Sequence, residues 1–167
     1  MRSILYKLDN AIASIEKAFM MLMSGALTIL LITQATMRYL FSSPLFWAEE
    51  VAILLLLGIT FIGMSYLLHE NKLLRIDFIV VSLKPHLKAL LDTINASLAV
   101  LLIGFLCWYT YEWISAPEVS LEMSPTTGLP RIINYGLLFL SFCLMLFHQL
   151  VKLMYSIEKI FNAGESK

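Results

Sequence analysis

A chain of 167 residues is long enough for one domain and too short for several. Only 14% of its residues are charged against 59% hydrophobic, with a mean hydropathy of +0.80. A soluble domain carries roughly 25% charged residues, so this chain has too little polar material to cover a water-facing surface. Its 12 basic and 12 acidic residues cancel, which argues against a nucleic-acid or other polyanionic partner.

In chain order, the first pattern is Ile4, Leu5, Leu8, Ile12, Ile15 and Phe19 at helical spacing, with Lys7, Asp9 and Asn10 on other faces. Residues 3–15 therefore read as an interfacial segment, either a surface-lying helix or an extension of the span that follows. That span, 18–38, is charge-free from Ala18 to Met37, long enough for the roughly 20 residues that cross a bilayer core. Its apolar length is about twice that of a cleavable signal peptide. A second span, 47–69, follows a short turn in which Ser43 suits an N-cap and Pro44 the first helical position. Leu73 to Leu83 is apolar but broken by Arg75 and Asp77 and closed by Lys84-Pro85, so 72–84 reads as a second interfacial segment. A third span, 90–114, leads to an outer loop, 116–130, in which Pro117, Pro125, Gly128 and Pro130 predict irregular structure. The fourth span is 131–152, with His148 the only possible charge between Ile132 and Val151. The fold class expected is an all-α integral membrane protein of four transmembrane helices, because in hydrocarbon the backbone must satisfy its own hydrogen bonds.

Lysine and arginine set the expected orientation. Arg2, Lys7, Lys17, Lys72, Arg75, Lys84, Lys88, Lys152, Lys159 and Lys167 fall on one side, and only Arg38 and Arg131 on the other. By the positive-inside rule both termini and the central loop lie in the cytoplasm. Glu49, Glu50, Glu112, Glu118 and Glu122 then gather on the outer side, with Tyr39, Phe46, Trp47, Trp108, Tyr111, Trp113 and Tyr135 at the headgroup level.

Few residues offer chemistry. Glu49 and Glu50 sit near the positive end of the second helix's dipole, with Arg38 across the turn. One reading is a dipole-matched turn with a local ion pair. Another turns one carboxylate toward a partner, since adjacent helical residues point about 100° apart. His69, Arg75 and Asp77 read as an interfacial set with snorkelling charges, although Asp77 interrupts an apolar run and needs a cation in this chain or another. Gln34, Asn95, His148 and Gln149 suit interhelical hydrogen bonds. The spans show no carboxylate pair, no inverted repeat and no broken helix, which argues against a transporter acting alone. Cys107 and Cys143 have no metal-ligand or redox spacing, and no phosphate loop or nucleophile motif indicates an enzyme. His69 and His148, both toward the inner ends of their helices, leave open a haem-anchoring subunit of an oxidoreductase. A stand-alone structural membrane protein is a further alternative.

Several elements occur in an ordered set: Arg38-Tyr39, Trp47-Ala48-Glu49-Glu50, Gly63, the stretch from His69 to Asp77, and Ser124-Pro125-Thr126-Thr127-Gly128-Leu129-Pro130. With this set the chain resembles the small, Q-type four-helix membrane subunit of a TRAP (tripartite ATP-independent periplasmic) transporter. The resemblance implies a scaffold without a cofactor of its own, in a bacterial inner membrane. Its partners would be a large membrane subunit holding the sodium and substrate sites, and a periplasmic protein delivering an organic acid of the dicarboxylate or sialic-acid class. It also implies partner-interface roles for Arg38, Trp47, Glu49, Glu50, Pro125 and Pro130 on the outer side. His69, Arg75 and Asp77 would make the inner contact or hold an interfacial phospholipid. Gly58 departs from the family pattern, which leads one to expect a bulkier, often aromatic residue there.

Overall fold

A computed structural model describes residues 2–70 and 85–165. Five helices follow one another: α1 (Arg2–Leu40), α2 (Phe46–His69), α3 (Pro85–Ile114), α4 (Pro117–Leu121) and α5 (Ile132–Glu165). Four of them, all but the one-turn α4, are long and apolar enough to cross a membrane. The interfacial segment 72–84, with Arg75 and Asp77, lies outside the described residues.

The amphipathic start of the chain is the first part of α1, a single unbroken helix of 39 residues. At 1.5 Å per residue it runs about 58 Å, nearly twice a ~30 Å hydrocarbon core. Its apolar stripe faces outward: Ile4, Leu8, Ile15 and Phe19 are exposed, while Asp9, Ala13, Glu16 and Met23 are buried. The segment is thus inverted relative to a soluble amphipathic helix. In a membrane, lipid takes the apolar face and the polar groups turn inward to one another. Hydroxyls on the outward faces follow the same logic. Thr28, Thr33, Thr36, Thr60 and Thr110 each donate to the carbonyl four residues back, at 2.7–2.8 Å, so no donor is left facing hydrocarbon.

The turn between α1 and α2 differs from its sequence expectation. Helix α2 begins at Phe46, after Leu45, without a side-chain cap. Ser42 instead takes a left-handed conformation (φ 49°), and the Ser43 amide donates back to the Met37 carbonyl at 3.0 Å. Ser43 thus serves the end of α1 rather than capping α2, and Pro44 precedes the first helical position of α2 by two residues.

The spans pack as an open row rather than a closed bundle. Helix α3 lies on α5, α5 on α2, and α2 on α1, with little contact between α1 and α5. Burial follows this order: the most apolar stretches of α2 and α5 are 22% buried, and those of α1 and α3, at the edges, 6%. Small residues allow the close approaches. Ser65 and Ser141 are fully buried, and Leu68, Ile103 and Met145 form the core with Phe61, Phe142 and Leu146 around them. The Phe61 and Phe142 rings meet edge to face at 5.8 Å. Gly58 has a specific role: a Cβ there would come within 2.5 Å of Met23 Cε and 3.1 Å of Leu137 Cδ2. The volume expected as a bulky side chain at position 58 is supplied by the Met23 thioether of α1.

Candidate functional site

At the end of the row where α1 meets α2, Glu50 holds the loop that precedes α5. One carboxylate oxygen accepts the Thr126 amide at 3.0 Å. The other accepts the Thr127 amide at 2.9 Å and the Thr127 hydroxyl at 2.6 Å. The loop presents those amides because it folds as a tight hairpin. Met123 bridges Pro130, the Ser124 amide donates to the Leu129 carbonyl at 2.8 Å, and Gly128 sits at φ +66°. A left-handed residue closes the turn there, which glycine adopts without steric cost. Glu122 secures the base of the hairpin, accepting from the Tyr135 hydroxyl at 3.1 Å with the Arg131 guanidinium 3.9 Å away.

This geometry revises the local ion pair expected for Arg38. Among the described residues no ion pair joins Arg38 to Glu49 or Glu50; its guanidinium lies 5.7 Å from the centre of the Tyr39 ring. Glu50 is committed to the loop, and Glu49, one residue and about 100° further round α2, is exposed with Trp47 and Pro125. Pro130 is half-buried at the hairpin's bridge.

The opposite end of the row holds a buried polar cluster. Asp9 and Glu16, two turns apart on one face of α1, are 6% and 3% exposed, and His148 of α5 is 2% exposed. His148 Nδ1 lies 2.6 Å from Asp9 Oδ1, and its Nε2 lies 3.3 Å from Glu16 Oε2. Ser65 of α2 donates to Glu16 Oε1 at 2.6 Å. His69 Nε2, at the end of α2, is 3.3 Å from Asp9 Oδ2 and 3.1 Å from Asn10 Oδ1. Three helices are thereby tied by side chains that would be costly to bury singly. Helix α1 rises about 36 Å from Glu16 to Leu40, so the cluster sits near the far edge of the hydrocarbon rather than at its midplane.

A carboxylate pair is buried on α1, ahead of the 18–38 span expected from the sequence. Asp9 and Glu16 were hidden because Asp9 falls opposite the apolar stripe, which in a soluble helix is the water side. The one available signal was their seven-residue separation, which puts both on one helix face. The imidazoles of His69 and His148 are in edge contact, with centroids 5.1 Å apart. Of the other span polars, Gln149 reaches the Ala96 carbonyl of α3 at 3.5 Å. Asn95 is exposed on α3 and makes no interhelical bond among the described residues.

Fold and sites together define a multi-pass helical membrane protein whose buried polar groups tie its own helices together and whose edge helices each pack mainly against one neighbour. A family model for the DctQ component of the tripartite ATP-independent periplasmic transporters matches residues 27–159. The chain belongs to this family, and so is a TRAP transporter small permease component and a multi-pass inner-membrane protein. No curated protein matches it.

Proposed function

We propose that this chain is the scaffold subunit of a sodium-driven importer of an organic acid, of the dicarboxylate or sialic-acid class. It is non-catalytic, carries no catalytic cofactor of its own, and braces a large membrane subunit that holds the sodium and substrate sites. The observation behind this reading is the open row. The most apolar stretches of α1 and α3 are 6% buried against 22% for those of α2 and α5, which leaves both edges of the row open to a protein neighbour as well as to lipid. The four spans are continuous helices, whereas secondary transporters place substrate between broken ones. Motion therefore belongs to the partner, and this chain supplies the surface against which it moves.

In this reading both termini are cytoplasmic, in line with the lysine and arginine bias. The exposed Arg38, Trp47 and Glu49, with the hairpin of Pro125 and Pro130, meet the large subunit or the periplasmic binding protein. Arg75 and Asp77 make the inner contact or hold a phospholipid headgroup. A periplasm-active reporter fused after Leu121 will be active and one fused after Lys88 silent; the reverse pattern overturns the orientation. The functional test is to tag the chain in its host, extract it gently and identify co-purifying proteins by mass spectrometry. A stoichiometric large polytopic partner is expected. Recovery alone, or with a flavin or iron–sulfur protein, overturns the proposal.

A further inference from the structure

The buried cluster has features that helix packing does not require. We propose that Asp9, His69 and His148 form a binding site for one divalent transition-metal cation of the zinc class, tying the start of α1 to α2 and α5. One ligand atom from each lies within 4.8 Å of the other two. A tetrahedral zinc ion with ligands at about 2.0–2.1 Å separates its donors by about 3.3–3.5 Å. His69 Nε2 and Asp9 Oδ2 already stand 3.3 Å apart. His148 Nδ1 and Asp9 Oδ1, at 2.6 Å, are at proton-bridged distance, and exchange of that proton for a metal ion lengthens the separation into the ligand range.

The donor chemistry selects the cation. Two imidazoles and a carboxylate suit zinc and its first-row neighbours, whereas calcium and magnesium take oxygen shells. His148 is oriented as a metal-bound histidine is. Its second nitrogen faces Glu16 Oε2 at 3.3 Å, and Glu16 is itself held by the Ser65 hydroxyl at 2.6 Å. Such a carboxylate–histidine relay fixes ring and tautomer at metal centres. Charge agrees as well: one divalent ion held by neutral imidazoles offsets the two buried carboxylates. Binding thus releases protons as it places the metal.

An entry path exists. Among the described residues a cavity of about 1020 Å³ is bounded by Asp9, Asn10, His69 and His148, with Lys152, Glu158 and apolar side chains completing its walls. It reaches the three donors from the end of the row that carries the N-terminus.

The test uses the full chain in detergent, alone and in complex with its large subunit. After stripping with a chelator it is titrated with zinc alone, and bound metal is counted by elemental mass spectrometry. Cobalt(II) serves as the spectroscopic probe, because tetrahedral coordination gives it intense visible bands. One metal per chain is expected, with a rise in melting temperature. Glu16→Gln should weaken binding about 10–100-fold, as loss of an outer partner does at other metal sites. His69→Gln, at the cavity rim, should remove it, and a Cys107→Ser/Cys143→Ser double variant should retain it. If His148→Gln fails to fold, the wild-type titration and His69→Gln still decide. A folded wild type that takes up no metal, or unchanged affinity in His69→Gln, overturns the site and leaves the cluster a proton-bridged packing device.

Discussion

Thr127 donates both its amide and its hydroxyl to one carboxylate oxygen of Glu50, at 2.9 and 2.6 Å, across 77 positions of sequence. The start of α2 is thereby bonded to the loop that introduces α5. The two central helices of the row are held together by a polar clasp at one end and by the histidine–carboxylate cluster at the other. Between them, among the described residues, lie the buried Ser65 and Ser141 and the apolar core of Leu68, Met145, Phe61 and Phe142.

Removing the clasp should free the hairpin without dissolving the spans. Glu50→Ala leaves the Thr126 and Thr127 amides without their acceptor, and limited proteolysis of the detergent-solubilised protein should then cut between Met123 and Pro130 faster than in wild type. Helical content and melting of the spans should hardly change. Unaltered cleavage would show that the hairpin is held by its own bridge and the Glu122 contacts.

Position 58 discriminates between two substitutions. In Gly58→Ala the new methyl meets the flexible end of Met23, which can swing away, at a cost of about 1–3 kcal/mol of overpacking. Gly58→Phe also drives into Leu137 and should separate α1 from α2, lowering the melting temperature in detergent far more. A Gly58→Phe/Met23→Ala double variant should recover part of the loss, because the cavity left by the thioether accepts the ring.

Ser65 is fully buried and points its hydroxyl at Glu16. Ser65→Ala therefore strands a buried carboxylate oxygen, and hydrogen bonds to charged groups contribute about 1.5–3 kcal/mol. Thermal unfolding should register a loss of that order. Ser65→Thr, which keeps the hydroxyl, should restore much of it if the crowded α1–α2 contact admits one more methyl group.

Cys107 of α3 and Cys143 of α5 place their sulfurs 3.5 Å apart, and a disulfide needs about 2.05 Å. A lipid-permeant oxidant such as iodine should link them within the chain, read as the loss of two free thiols by intact-mass spectrometry. Cys143→Ser should abolish the link. Intermolecular dimers in its place would mean that α3 and α5 meet in a different register.

Membership of the helical membrane class was legible locally. Charge-free runs such as Ala18 to Met37 and Val51 to Leu68 need no tertiary information, because spanning depends on length and composition. The Trp47-Ala48-Glu49-Glu50 and Ser124 to Pro130 segments carried the family resemblance, and both belong to the Glu50 clasp. Which carboxylate would close it was not legible, because Glu49 and Glu50 differ only in the direction their positions face on α2. Cys107 and Cys143, 36 positions apart, gave no sign of lying side by side.

The sequence by itself determined that four segments cross the membrane, which residues gather at each end, and the family to which the chain belongs. Only the tertiary structure decided which way each helix faces. In water the apolar stripe of a helix marks the interior, but in lipid both sides of a span are apolar and the stripe loses that meaning. Asp9, Glu16 and His148 turn inward because there they satisfy one another, and those partners come from helices as far as 139 positions apart.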